Sequence, residues 1–390
     1  MFHNLTRLGT PGPTVSFASL SLILVNMPIK AAVMTGPNRP IEMWSLDDPV
    51  IEEGAVLLET VASEVCGTDV HLSHGRLAGV PYPIVPGHVS VGRVLETGGG
   101  DVTDFIGDPL APGDVVTFYD VHETCNACWF CLVAGQPNRC PSRRVYGITY
   151  SAHDGPLGGW AERIYLKPGV HVFRLPEPLR ADDVIGGGCG LFTGFAAVDR
   201  SGLPMGSTVL VQGSGPVGLS AVAMSVLGGA SLVINIGDPD ARLDIARVLG
   251  ADAVLSVEGD SLDERESVIR DLTHGRGVDI GIEASGNPAA VSEGLHLLRD
   301  GGTYVVAGHY TDTGETPVNP HIDINRKHAD IRGQWGTDLG HVYRALRVLA
   351  RHQDRLDMSR IIGGRYSLDD AGQALADVAA LKITKAIIEP

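Results

Sequence analysis

The chain has 390 residues, is 44% hydrophobic and 19% charged, and carries a formal net charge of −16. That length favours two or three domains, and the acidic balance, with no Lys/Arg run, argues against nucleic-acid binding, which needs a basic footprint. The longest apolar candidate for a membrane span, FASLSLILV at 17–25, is well short of the ~18–20 residues a spanning helix requires.

Residues 1–27 read as an N-terminal extension. Arg7 is the only Lys or Arg before the apolar run, and MPIKAAVMTG follows at once as a first strand, so Met27 is the candidate functional start. From there to about residue 186, short apolar runs (AVLLETV, VSVGRVLETG, GDVVTFYD, AERIYLK, HVFRLPE) are broken by Gly, Pro and Asp, the pattern of short β-strands and turns. Beyond it TVLVQG, LVINIG, DAVLSV, VDIGIEASG and GTYVVAG alternate with helix-like segments, the rhythm of a parallel sheet with crossover helices. GLSAVAMSVLGG is apolar or small all round and predicts a helix buried against that sheet. HVYRALRVLARH and SLDDAGQALADVAALKITKAIIEP predict two helices and a closing strand that returns to the first domain.

Within VLVQGSGPVGLSAVAM, Gly213, Gly215 and Gly218 form G-x-G-x-x-G between a strand and a helix, with Pro216 and Val217 inside the turn. Such glycines permit a tight turn, close approach to a pyrophosphate and close helix–strand packing, and the helix N-terminus meets the phosphate charge. Asp238, at the end of the second strand, has two readings. It is a carboxylate for the adenosine ribose, or it caps the following helix with Pro239 at the first helical position. A carboxylate there opposes a 2′-phosphate and the nearby base is Arg242, so NAD is favoured, with NADP as the alternative.

Four of the six cysteines, Cys125, Cys128, Cys131 and Cys140, are spaced C-x2-C-x2-C-x8-C. Four thiolates in so short a span suit a tetrahedral zinc, and a closed four-thiolate site leaves no position for substrate, so this lobe (about 122–142) reads as structural. Cys66 and Cys189 remain. With His88 they make a Cys2His set of the kind that keeps a fourth zinc position open for catalysis.

The order CGTDVH, PGHVSVG, four-cysteine lobe, GCGLFTGF, GSGPVG resembles the zinc-dependent medium-chain alcohol dehydrogenases over residues 28–390. The resemblance implies α/β plus β architecture: a GroES-like catalytic domain at 28–188, a Rossmann doubly wound parallel-sheet domain at 189–335, and a C-terminal return at 336–390. It also implies an active site in the cleft between the two domains and a homodimer or homotetramer. By position it makes Cys66, His88 and Cys189 ligands of a catalytic zinc, Asp69 the carboxylate orienting the ligating histidine, Thr68 the hydroxyl taking the alcohol proton and His71 the outer end of the relay. It puts Thr193 beside the nicotinamide and Lys385 on the cofactor phosphates. Two positions depart from the family. Val89 stands where many members carry Glu after the histidine, and Gly237 stands where the ribose-binding Asp is usual.

These readings converge on a cytoplasmic, zinc-containing, NAD(P)-dependent dehydrogenase with two zincs per chain. Its substrate would be an alcohol (secondary, cyclic or polyol) or the matching carbonyl. The rivals are a zinc-independent enone or quinone reductase of the same fold and a non-catalytic cofactor-binding protein. Trp129, Tyr119, Trp160, Phe192 and Trp335 are candidate cleft-lining residues, and His122, Tyr146 and His153 candidate polar contacts.

Overall fold

The computed structural model describes residues 27–390, so all of the expected extension but Met27 lies outside the described residues. The chain opens with an antiparallel pair, β1 (Ile29–Met34) and β2 (Ile41–Leu46). The strands β3 (Val56–Val65), β4 (Ser90–Thr97), β5 (Val115–Phe118), β6 (Val121–His122), β7 (Arg144–Val145), β8 (Arg163–Leu166) and β9 (Val172–Arg174) complete the β-rich half. Long, β-branched and almost wholly buried, β3 is the organising strand, pairing antiparallel with both β4 and β8. Besides the four-residue helix Trp129–Leu132, a short helix, Gly67–Ser73, interrupts this half where a purely β region was expected. Cys66 and Asp69 cap its N-terminus reciprocally, a local signal that alternation-based reading passes over.

The second half is a six-stranded parallel sheet of β10 (Thr208–Gln212), β11 (Leu232–Gly237), β12 (Ala253–Ser256), β13 (Val278–Glu283), β14 (Leu298–Val306) and β15 (Asp330–Gly333). Its order is β12-β11-β10-β13-β14-β15, and every pair is parallel. Apolar β10, β11 and β13 were legible as strands; β15, with the sequence DIRG, was not, because an outer strand has no core face to advertise it. The Pro216–Leu227 helix is buried from Gly218 to Ser225, as its small, apolar surface requires.

Two features join the halves. Gly188 turns the chain at φ +54° from the Ala181–Gly187 helix into the Cys189–Ser201 helix. That second helix packs closely on Pro216–Leu227, since a Cβ on Gly190 or Gly194 would come within 2.6–2.7 Å of backbone there. After the amphipathic Leu339–His352 helix, which buries Val342, Ala345, Leu346 and Leu349, come β16 (Gly364–Tyr366), the Ala371–Ala379 helix and β17 (Ala386–Ile388). β17 pairs antiparallel with β3, so the chain's end lies in the sheet of its first half. The largest core cluster runs through both halves, from Val91 and Phe173 to Val211, Leu219 and Leu346. No helix among the described residues is long and apolar enough to cross a membrane.

Candidate metal and cofactor site

Cys66 follows β3 directly. Its Sγ accepts from the Thr68 N–H at 3.3 Å, and its own N–H donates to Asp69 Oδ2 at 2.9 Å. His88 sits buried at the entry to β4, and Cys189 opens the Cys189–Ser201 helix. The ligand atoms of Cys66, His88 and Cys189 lie within 4.8 Å of one another, and so does a carboxylate oxygen of Glu64, which the motifs did not single out. Glu64 lies two residues before Cys66 on an extended strand, so their side chains share a face, and that spacing is the signal that could have found it.

The Cys189 S–H against Cys66, helped by His88 and opposed by burial, holds the Cys66 thiol well below its usual range, while the same contact and burial push Cys189 up. Burial works to lower the His88 pKa, but Cys66, Glu64 and Asp69 together raise it well above its usual value. His88 Nδ1 is buried without a hydrogen-bond partner. Two sulfurs, an imidazole and a carboxylate converging on one point are a donor set that zinc takes readily, so the residues fit the metal.

Asp69 makes no hydrogen bond to His88. One oxygen caps the Cys66 N–H, the other is buried and unpartnered, and burial, then Cys66, push its carboxyl well up. Thr68 reaches the cleft, and His71 is half-buried one turn further along the same helix. Burial, then the charge of Arg76, lower the His71 pKa. Val89 is apolar and buried.

Lys385 requires a correction. It was expected on the cofactor phosphates, but it is fully buried, with its ammonium paired to Glu64 Oε2 and donating to the Gly187 carbonyl at 3.0 Å. It immediately precedes β17, which pairs with β3 in the first sheet.

In the second cluster the sulfurs of Cys125, Cys128, Cys131 and Cys140 likewise lie within 4.8 Å of one another, all free of disulfides. The lobe meets the other half of the chain through Arg139 and Arg143, whose guanidinium groups sit 5.6 and 5.4 Å from the Trp335 ring centroid.

Gly213, Gly215 and Gly218 stand at the end of β10, where strand order reverses between β11 and β13. A Cβ on Gly218 would sit 1.9 Å from the Gly213 carbonyl oxygen, so only glycine brings helix and turn together, while one on Gly215 would meet nothing within 4 Å. The turn opens on a crevice of about 890 Å³ lined also by Asp238 and Arg242. Asp238 does not cap the next helix: Pro239 is the N-cap and Asp240 the first helical residue. Instead its carboxylate accepts from Ser256 Oγ at 2.7 Å and from the Val257 and Glu258 N–H groups at 3.0 Å. Arg242 is buried and donates to the Ile383 carbonyl at 2.8 Å.

Between metal cluster and crevice lies a cavity of about 190 Å³. One wall holds Thr68, His88 and Cys189, another Thr193, Val217 and Gly308. Of the expected lining residues, Tyr119, Phe192 and Trp335 face this cavity. Trp129 is exposed on the lobe, and Trp160 is wholly buried with its Nε1–H donating to the Glu64 carbonyl at 2.9 Å. His122 is held by Tyr150 and Pro168, Tyr146 is core, and His153 lies beside Trp44, none of them lining it. Phe118, Val121, Val145, Ile148 and Tyr310 supply the further apolar lining that motif reading missed.

Comparison with known proteins agrees with this architecture. The family model for the alcohol dehydrogenase GroES-like domain matches residues 52–177, and that for zinc-binding dehydrogenases matches 216–351. A 5-exo-hydroxycamphor dehydrogenase of Pseudomonas putida is 34% identical over 364 residues, covering 92% of this chain and 98% of the relative. An L-threonine 3-dehydrogenase of Streptomyces coelicolor is 30% identical, covering 93% and 99%. Among solved structures, an alcohol dehydrogenase from Thermotoga maritima aligns with a TM-score of 0.89 at 34% identity, covering 93% of this chain and 100% of the other. A putative zinc-binding dehydrogenase from Sinorhizobium meliloti bound to NADP aligns with a TM-score of 0.80 at 27% identity, covering 93% and 99%.

Proposed function

The chain belongs to the zinc-dependent medium-chain alcohol dehydrogenases, and from that premise we propose that it interconverts a bulky, mostly apolar secondary alcohol and its ketone with NAD as hydride acceptor. Cys66, His88 and Cys189 would hold the catalytic zinc, and Cys125, Cys128, Cys131 and Cys140 a structural one. The observation that carries the reading is the single cavity walled on one side by the Cys66 loop and His88 and on the other by Thr193 and the glycine-rich turn. When bound, zinc supplies Lewis acidity that lowers an alcohol's pKa, and the nicotinamide takes the hydride.

The chain's own residues do the rest. Apolar walls from Phe118, Ile148 and Phe192 exclude water and orient a carbon skeleton. Thr68 Oγ accepts the hydroxyl proton at the cavity wall as it passes its own proton on. His71, kept neutral to lower pH by burial and Arg76, receives it on the way to solvent. Gly215 and Pro216 present the helix N-terminus to a pyrophosphate. The Asp238 carboxylate, fixed by the 256–258 loop, favours a ribose hydroxyl over a 2′-phosphate. Six free thiols suit a reducing, cytoplasmic setting, and the outer strand β15 offers an edge for a homodimer or homotetramer.

Hydroxycamphor, the substrate in a relative's name, is an apolar bicyclic alcohol that matches such walls. Arg143 and Asp120 in the same cavity favour a second reading, an amino-acid alcohol such as L-threonine. Burial raises the Asp120 pKa, however, which disfavours a carboxylate able to hold an ammonium group. The test is a panel of rigid alicyclic alcohols and L-threonine with NAD and NADP, on wild type and Cys66→Ser, with metal counted in both. Cys66→Ser is expected to lose one zinc per chain and its alcohol oxidation while staying folded. Full activity without that metal would sink the proposal in favour of a zinc-independent reductase, and no turnover by a two-zinc protein would favour a cofactor-binding role.

A further inference from the structure

Glu64 is a wholly buried carboxylate for which the mechanism above has no use. Its two oxygens have different surroundings. Oε2 is held by Lys385, itself wholly buried and anchored on the Gly187 carbonyl. Oε1 lies 3.3 Å from His88 Nε2, and a carboxylate oxygen of Glu64 lies within 4.8 Å of the Cys66 and Cys189 sulfurs. The Cys189 N–H donates to both oxygens at 3.1 Å, which fixes the carboxylate plane relative to the cysteine beside it. Gly188 provides the space, because a Cβ there would come within 1.9 Å of Glu64 Oε2 and 2.2 Å of Lys385 Nζ.

We propose that Glu64 is a fourth protein donor to the metal site formed by Cys66, His88 and Cys189, holding the open position until the alcohol takes it, with Lys385 as its fixed counter-charge. This rests on the zinc reading given above. A buried ion pair on its own is costly, since desolvating each ion costs several kcal/mol, and pairing with Lys385 occupies one oxygen only. The other oxygen faces the donor cluster. Because Lys385 cancels the charge of Glu64, the pair adds an oxygen ligand without adding net charge to a site that already holds two sulfurs. Lys385 acts as a positioning residue, keeping the carboxylate aimed at the cluster from the far end of the chain.

The test uses the full chain loaded with cobalt(II) in place of zinc. Glu64→Gln/Lys385→Met removes both charges together, so that neither is left unpaired, and Glu64→Gln alone gives the same readout with Lys385 retained. One of the two metals per chain is expected to bind about 10–100-fold more weakly, with a change in the visible cobalt absorption that Cys66→Ser abolishes. An affinity and a cobalt spectrum identical to wild type in both variants overturn the assignment of Glu64 while leaving the three-residue site standing. If instead Cys66→Ser removes no metal and leaves the cobalt spectrum unaltered, the zinc reading itself falls and the Glu64 proposal falls with it.

Discussion

Lys385→Met offers the sharpest test of how the chain's two ends are joined. The substitution keeps an unbranched chain of similar length and removes the ammonium group from a pair in which both side chains are 0% exposed. Solvent cannot screen the carboxylate left behind, so in the metal-free chain, where no bound cation compensates it, the loss is largest. Breaking such a buried pair from one side costs about 3–5 kcal/mol, which lowers the folded-to-unfolded ratio by about 150-fold or more. Glu64→Gln/Lys385→Met removes the uncompensated charge as well and is expected to recover most of that loss. Urea unfolding followed by tryptophan fluorescence is the assay, with Trp160 as a local probe because its indole N–H is bonded to the Glu64 carbonyl. The midpoint should move with little change in slope. A single variant within ~1 kcal/mol of wild type, or a double variant no more stable than the single, would refute the reasoning. So would a selective loss of NAD affinity in a stable Lys385→Met protein, which would return Lys385 to the cofactor phosphates.

Further outcomes follow from the cofactor turn and the proton path. Gly218→Ala puts a Cβ at 1.9 Å from the Gly213 carbonyl oxygen, so stability should fall by ~1–3 kcal/mol and NADH fluorescence titration should show lost binding; a wild-type Kd would contradict the close approach. Asp238→Ser removes the carboxylate from the crevice, and the ratio of kcat/KM for NADP over that for NAD should rise by about tenfold. An unchanged ratio would mean that Asp238 only ties down the 256–258 loop. His71 has its pKa lowered in the folded chain, so its proton-accepting form persists to lower pH, and the acid limb of kcat for alcohol oxidation should lie below pH 6.5. His71→Asn should lower kcat about tenfold, less than the ~100-fold of a direct general base, and should remove that limb. A profile that keeps it would assign the limb to another group.

The features legible in the sequence were the ones encoded at short range. Four cysteines within 16 residues announce a thiolate cluster because chain connectivity alone brings them together. The spacing of Gly213, Gly215 and Gly218 follows from one strand–turn–helix, and the buried Pro216–Leu227 helix follows from a run with no polar face. Cys66 and Cys189 were isolated once the other four cysteines were assigned, His88 joined them as a candidate in a turn leading into an apolar strand, and the fold does bring the three together.

Tertiary structure decided what depends on groups far apart in the chain. Glu64 and Lys385 are separated by 321 positions and meet only because β17 pairs with β3. The fragment AVLLETVASEV contains one exposed glutamate, Glu59, and one wholly buried one, Glu64, and in the sequence only the spacing of Glu64 from Cys66 and the alternation of the strand set them apart. Asp238 could cap a helix or face a ribose on local grounds, and the 256–258 loop, brought alongside by β12, settled where its carboxylate points. The cavity wall is of the same kind: Phe118, Ile148, Phe192 and Trp335 come from four separate segments. Local propensity and spacing set the elements and the thiolate cluster. Which buried charges face one another was set by the pairing of strands from opposite ends of the chain, because a charge buried in the interior persists only where the packed fold brings it a partner.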